Sequence, residues 1–283
     1  MLKVLTFNAA ILDVRIFGRS FYRPLEHIDE RLRELARQLR QSSADLVFLQ
    51  EMFHHDKQKM LLRFLDAHYP HNSRLARPGW KFRLDNELLV LSRYPLARGK
   101  LLRFKSAPAE ELRHTSKGFY HIETEIPGLG RLNLVNFHMS AGGKYQHPES
   151  ASMERIRASQ IQQLLDYFQS LDMLLLAGDL NAGQQTSVAN YQQLIDAGYV
   201  DVFLAGKGTG ISWDPGNALV RMGNEAHLPG QRIDHIFAGR DLLKKVQVHD
   251  AEVVFKDRLV STAQASLPLS DHYGITARLK PIL

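Results

Sequence analysis

The chain has 283 residues, 44% of them hydrophobic and 23% charged, with 14 Phe and 9 Tyr, a composition that can bury a large core and argues against disorder. It has no cysteine, which excludes disulfides, iron–sulfur clusters, cysteine-ligated zinc and thiol catalysis together. The formal charge of +6, with Arg74, Arg77, Lys81, Arg83, Arg93, Arg98, Lys100, Arg103, Lys105, Arg113 and Lys117 between residues 74 and 117, favours an anionic partner, nucleic acid or acidic lipid surface, although many soluble proteins carry such a balance without one.

In chain order, KVLTFN (3–8) reads as a strand ending at Asn8, and its composition does not make a cleavable signal. From Leu25 the apolar residues Ile28, Leu32, Leu35 and Leu39 recur on one helical face. DLVFLQE (45–51) is a second strand, ending at Glu51, and a weaker helical pattern covers 56–68. ELLVLSR (87–93) and GFYHIETEI (118–126) are strands, and LNLVNFHM (132–139) carries His138 near its end. A second clear helix follows from Met153, Ile156, Ile161, Leu164, Leu165 and Phe168. MLLLAGD (173–179) then ends at Asp179 with Asn181 two positions on, before a weaker helical pattern over 187–197 that Gly198 stops. The longest structureless stretch is 205–230. RIDHIFA (232–238), with Asp234, EVVFKD (252–257) and YGITARL (273–279), which Asp271 and His272 precede, complete the strands. No apolar run approaches the roughly 20 residues of a membrane span.

About nine strands with interspersed helices, and no repeat or low-complexity linker, predict two packed sheets covered outside by helices, with 1–283 as one domain. Six polar residues recur at strand ends: Asn8, Glu51, His138, Asp179, Asp234 and Asp271. A carboxylate in an apolar strand costs several kcal/mol unless it is paired or binds a cation. Singly, each has a plain structural reading: a turn or cap for Asn8, helix capping for Glu51, a satisfied rim histidine for His138, an Asx turn for Asp179, a partner of Arg232 or His235 for Asp234. Six repetitions of the same coincidence point instead to a shared rim. Its oxygen-rich donors, with Asn181, suit a hard divalent cation such as Mg²⁺ or Mn²⁺. Histidines leave zinc open, but no H-E-x-x-H pattern supports a protease. Neighbours on a strand point to opposite faces, so His272 requires an orienting carboxylate other than Asp271, and Asp234 is the best-placed one.

TFN (6–8), LQE (49–51), NFHM (136–139), GDLN (178–181), QRIDHIF (231–237) and SDHYGI (270–275) together resemble the ordered motifs of the endonuclease/exonuclease/phosphatase superfamily, shared by DNase I, exonuclease III-like repair enzymes and neutral sphingomyelinases. The resemblance implies a four-layer α/β/β/α sandwich of two mostly antiparallel sheets with its active site at one rim. It implies that Asn8 and Glu51 help bind the metal, with Asp271 close by. Asp179 and Asn181 would position the attacking water and the phosphate, His138 would contact the phosphate or assist the leaving group, and His272, oriented by Asp234, would act as general base.

LLVLSRYPL (88–96) and SWDPGNA (212–218) are similar to the sphingomyelinase branch, where Trp213, Asp214 and Asn217 would lie near the opening; D-P-G is also turn chemistry by itself. Glu87 departs from the small residue of many relatives and either alters the groove or adds a ligand, and Met139 with Ser140 also departs from the branch. No membrane-inserting hairpin of the secreted bacterial enzymes is identifiable; RIFGRSFY (15–22) and RPGWKF (77–82) offer aromatics beside arginines, for interfacial contact or for the core. The expectation is a monomeric, soluble or peripheral Mg²⁺-dependent phosphodiesterase of sphingomyelinase or phospholipase C type. The alternatives are a nuclease or abasic-site repair endonuclease, for which phosphate contacts supply affinity, and an inositol-phosphate or nucleotide phosphatase.

Overall fold

The central strands are buried almost throughout, and their successive side chains alternate between apolar layers, three in all. In the computed structural model, which describes residues 1–12, 14–16, 19–22, 25–73, 87–115, 117–142, 148–222, 226–257, 259–263 and 265–282 (the backbone alone at 14–16, 19–22, 113 and 114), two six-stranded sheets lie face to face. One sheet contains β1 (Leu2–Ile11), β4 (Leu46–Met52), β5 (His71–Asn72), β6 (Leu89–Ser92), β13 (Val246–Val254) and β16 (Gly274–Pro281), in the order β13-β16-β1-β4-β6-β5. The other has β7 (Lys100–Arg103), β8 (Gly118–Ile126), β9 (Gly130–His138), β10 (Leu174–Asp179), β11 (Val200–Asp201) and β12 (Asp234–Ala238), ordered β11-β12-β10-β9-β8-β7. Two small hairpins, β2 (Val14–Ile16) with β3 (Arg19–Tyr22) and β14 (Val260–Ser261) with β15 (Ser266–Leu267), stand apart.

Leu2, Val4, Leu46, Phe48 and Val90 of the first sheet meet Leu132, Leu134, Leu175, Ala177 and Ile236 of the second in the central layer. The intervening residues, such as Leu5, Phe7, Val47 and Leu49, pack outward on α1 (Ile28–Ser42) and α2 (His55–Leu65). Phe119, Val135, Phe137, Leu176 and Phe237 pack likewise on α4 (Ala151–Phe168) and α5 (Val188–Asp196). The architecture is therefore the expected α/β/β/α sandwich. The short helices α3 (Ala109–His114), α6 (Val202–Ala205) and α7 (Arg240–Leu243) lie in connections.

The helices obey local rules. Asp29 and Glu30 open α1 and Arg40 closes it, matching the helix dipole. Ser150 caps α4 by accepting the Met153 amide at 3.3 Å. After α5 the chain turns at Gly198 with φ of 94°, a conformation for which glycine is the natural residue.

Each sheet contains one parallel pair, β1 with β4 across α1 and β9 with β10 across α4, while its other pairings are antiparallel. Both parallel pairs end at the same rim, and ligands of open α/β sheets bind beyond the carboxyl ends of such strands. The last long edge strand occupies Val246–Val254 rather than 252–257: its VQVHDA stretch reads as polar because an edge strand exposes one face to solvent. The 205–230 segment contains a 3₁₀ turn at Val220–Met222 and is tied to the rim by backbone bridges from Trp213 to Gln231 and His272. Arg74, Arg77, Lys81, Arg83, the RPGWKF stretch and the side chains of RIFGRSFY and Arg113 lie outside the described residues.

Arg31 fastens the helical layer to the rim. Wholly buried on α1, it donates from Nε to Leu269 O at 2.6 Å and from its terminal nitrogens to Ala9 O at 2.6 Å and Ala10 O at 3.2 Å. Burial lowers its pKa to about 10, opposed by Asp271 and Glu51, so it stays charged at neutral pH. Arg31→Met is expected to lower unfolding stability by at least about 2 kcal/mol, because three buried carbonyls lose their donor. Urea unfolding at pH 7 checks this: the midpoint drops with the slope unchanged.

Candidate active site

Extending the two-residue period past the last apolar residue of the central layer brings each strand to a polar group. Val4 leads through Thr6 to Asn8, Leu134 through Asn136 to His138, and Leu175 through Ala177 to Asp179; antiparallel β12 starts at Asp234 before Ile236. Strand register adds to this, since Asp179 pairs across the backbone with both His138 and Asp234.

Glu51 reaches the site by another route. Val47 and Leu49 pack outward and so does Met52, a change of phase within three residues. Glu51 between them adopts φ of 57°, and the β1–β4 register shifts opposite it, where Ala10 has φ of 50°. This irregularity re-aims Glu51 toward the rim, as bulges beside functional sites do. Asn181 is likewise left-handed, at φ of 51°.

The Oδ2 atom of Asp179 is the centre of the cluster. Asn8 Nδ2 donates to it at 3.0 Å and to Glu51 Oε1 at 3.1 Å, while His138 Nε2 lies 3.5 Å and His272 Nε2 3.9 Å away. Asn8 Oδ1 is taken by the Ala10 amide, so Asn8 presents nitrogen, not oxygen, to the acids and bridges them. The Asp179 Oδ1 atom accepts the Asn181 amide at 2.9 Å, an Asx turn, and the Asn181 side chain donates to Met139 O. Asp179 thus serves the turn with one oxygen and the cluster with the other.

His272 Nδ1 lies 2.8 Å from Asp234 Oδ2, the expected pairing, although Asp271 and His272 lie before β16 rather than on regular strand. Burial would lower the His272 pKa, but Asp234, then Asp179 and Asp271, outweigh it and raise it well above 6.5. Two backbone amides, Ile233 and Asp234, are held by Ser212 Oγ at 3.1 Å, and Asn217 donates to Ser270 O at 2.9 Å. The SWDPGN stretch therefore braces both members of the pair. Asp271 accepts from Ser270 Oγ and stands close enough to Glu51 to raise its pKa, after burial and alongside Glu87.

Three groups have roles that the sequence reading did not assign. Glu87, expected to alter the groove or add a ligand, instead lies with Oε2 2.9 Å from His138 Nδ1. Lys117, read as one charge in a basic run, is 2.9 Å from His138 Nε2 and pairs with Glu111 at 3.6 Å. An ammonium only donates, so His138 Nε2 accepts and its Nδ1–H points at Glu87. Burial, then Lys117, drop the His138 pKa to about 4, and burial lifts Glu87 to about 7. The third group, His235, binds Ala182 O through Nε2 and receives Arg232 on Nδ1; Arg232 also pairs with buried Asp201 at 2.7 Å. This network pins the GDLNAG turn to β12. The antiparallel pairing of β8 with β9, which sets Phe119 opposite Phe137, was the signal that Lys117 would sit beside the end of β9.

The donor set fits a divalent cation. Asp179, Asp234 and His272 each offer an atom within 4.8 Å of the others, all three buried, and Asp234 Oδ1 has no hydrogen-bond partner among the described residues. Carboxylates packed this closely repel each other unless a cation or protons balance them.

Residues 5–272 match the Endonuclease/Exonuclease/phosphatase family model, and the chain belongs to that family. Beta toxin 275-280 from Staphylococcus aureus superposes with a TM-score of 0.80 at 20% identity, covering 98% of this chain and 99% of that one. Sphingomyelinase C from Streptomyces griseocarneus gives 0.77 at 22% identity over 98% of each chain. A D. rerio TDP2 humanised by 14 mutations gives 0.70 at 18% identity over 99% and 98%. At these identities the likeness is one of fold. No curated protein sequence matches significantly.

Lys117→Met removes the cation facing His138 while leaving the site buried. The His138 pKa is expected to rise from about 4 yet stay below 6.5, because burial still disfavours the charged ring. Imidazole NMR titration measures it directly, and an unmoved midpoint contradicts the electrostatic role given to Lys117.

Proposed function

We propose that this family member is a Mg²⁺-dependent phosphodiesterase of sphingomyelinase or phospholipase C type, folded as one domain over 1–283, that hydrolyses a phospholipid phosphodiester by attack of an activated water. The observation that carries the chemistry is the meeting of Asn8, His138 and His272 at one oxygen of Asp179, with Glu51 one hydrogen bond away. The likeness in fold to a sphingomyelinase C over 98% of each chain supports the lipid substrate, and so does the bracing of His272 by the SWDPGN stretch.

In this reading Glu51 and Asp271 would hold the cation beside the Asp179–Asp234–His272 cluster, whose Asp234 and His272 are kept for the proton, and Asn8 bridges the Glu51 and Asp179 carboxylates. Beta toxin from Staphylococcus aureus has been solved with bound magnesium ions. When bound, the cation polarises the phosphate and offsets its charge. Asp179 and Asn181 orient water and phosphate, and His272 Nε2 takes the proton of the attacking water while Asp234 fixes the ring and stabilises its charge. His138, with Lys117 beside it, faces the developing charge on the phosphate oxygens or the leaving group.

A nuclease is the second reading. It is favoured by the charge of +6 and by the β14–β15 hairpin, whose STAQAS sequence (261–266) has no aromatic residue to insert into lipid.

Purified protein with Mg²⁺ is expected to release the phosphorylated headgroup from sphingomyelin or phosphatidylcholine vesicles and to stop when EDTA is added. Rapid cleavage of plasmid or abasic-site DNA without lipid turnover overturns the lipid reading, and turnover of phosphomonoesters alone points to a phosphatase. His272→Ala is expected to reduce turnover by about 10²- to 10⁴-fold with the fold intact; near-normal turnover removes its role as base. Asp234, Asp179 and Asp271 raise the His272 pKa, and a cation beside Asp179 counteracts those anions. The His272 NMR titration midpoint is therefore expected to shift to lower pH on adding Mg²⁺.

A further inference from the structure

The apolar contact between the sheets is non-directional, so burial alone sets their relative position only loosely. One step nearer the rim than Val4, Phe48 and Leu134, the central layer changes character. Thr6, Gln50 and Asn136 occupy it, each wholly buried. Gln50 Nε2 donates across the interface to Asn136 Oδ1 at 2.7 Å and lies 3.2 Å from Thr6 Oγ1 on its own sheet. Asn136 Nδ2 returns two bonds to the first sheet, to Leu49 O at 2.9 Å and Leu89 O at 3.2 Å. Hydrogen bonds weaken steeply with misalignment, so this set holds in one register only.

We propose that Thr6, Gln50 and Asn136 are positioning residues that lock the two sheets together beneath the site. The strands leave no slack between lock and site. Asn8 follows Thr6 by two residues, Glu51 follows Gln50 directly, and His138 follows Asn136 by two. A slip between the sheets therefore passes directly to the Asn8–Asp179 bond at 3.0 Å, which joins them at the rim. Placement across the interface distinguishes this role from mere satisfaction of buried polar groups: Asn136 bonds the opposite sheet from both ends of its amide. The proposal rests on the cation reading of the site only for its metal readout.

Gln50→Met keeps the side chain's length and removes its amide. Mn²⁺ binding, followed by the electron paramagnetic resonance of the free ion, is expected to weaken at least about tenfold with the circular dichroism spectrum native, the scale seen when residues behind metal ligands are changed. Asn136→Leu, which also loses the bonds to Leu49 O and Leu89 O, is expected to weaken binding at least as much, and the double variant to weaken it by less than the two single effects combined, since both substitutions break the Gln50–Asn136 bond. A crystal structure of Gln50→Met is expected to show Asn8 Nδ2 beyond about 3.5 Å from Asp179 Oδ2. Mn²⁺ affinity within about twofold of wild type, with that contact intact, overturns the lock. Wild-type protein that binds no Mn²⁺ removes the cation reading instead, and the crystallographic distance then decides the lock alone. Where Gln50→Met fails to fold, Thr6→Val, which loses one hydroxyl at constant shape, is expected to weaken Mn²⁺ binding about threefold, and an unchanged affinity overturns the proposal.

Discussion

A single hydrogen bond between sheets, from Asn8 of β1 to Asp179 of β10, is the constraint from which the rest of the site follows. It joins residues 171 positions apart and holds the acid of one sheet against that of the other, since the same amide also reaches Glu51. Bringing these groups together is electrostatically costly, because Glu87, Asp179 and Asp234 are buried and the half-buried Glu51 and Asp271 stand beside them. The chain answers with fixed cations on either side, Arg31 beneath Glu51 and Asp271 and Lys117 beside His138. It also keeps protons, since Glu87 is lifted to about 7. A divalent cation would complete this compensation, and a phosphodiester would bring its own charge to it.

Much of this was legible in the sequence, and the reason is the period of two. An apolar strand that ends in a polar residue on its buried face announces a rim, and His138 and Asp179 follow that rule; Asp234 instead opens β12 at the same rim, and β1 runs past Asn8 to Ile11 rather than ending there. The pairing of His272 with Asp234 was anticipated from strand alternation, but Asp271 and His272 precede β16 and both face the cluster, so the pairing holds for a different reason: Asp234 at the start of β12 is the carboxylate that reaches the His272 ring. The amphipathic helices α1 and α4 were legible in the sequence, but not that each joins a parallel pair of strands.

What escaped notice depended on contacts that no period encodes. The phase of β4 reverses at Glu51 through one left-handed residue, an event of backbone geometry without a glycine to mark it. Lys117 lies just outside its strand and looks like surface charge until β8 pairs with β9. Arg31 is one of several charges on α1 and would be placed in solvent by its type; only the three carbonyls it reaches explain its burial. Gln50 and Asn136, adjacent to or two residues from the site residues, pass for ordinary neighbours until the sheets are stacked.

Two levels of organisation thus serve one rim. Apolar layers give the sandwich its stability, and the buried Thr6, Gln50 and Asn136 join the two sheets by hydrogen bonds just beneath the site. Diffraction from crystals soaked in Mn²⁺, recorded at the manganese absorption edge, tests the central claim most directly. The account requires an anomalous peak at the junction of the sheets, with Glu51 and at least one of Asp179 and Asp271 among its nearest oxygens. A saturated crystal with no peak there, or with manganese bound only at sites remote from these acids, contradicts it.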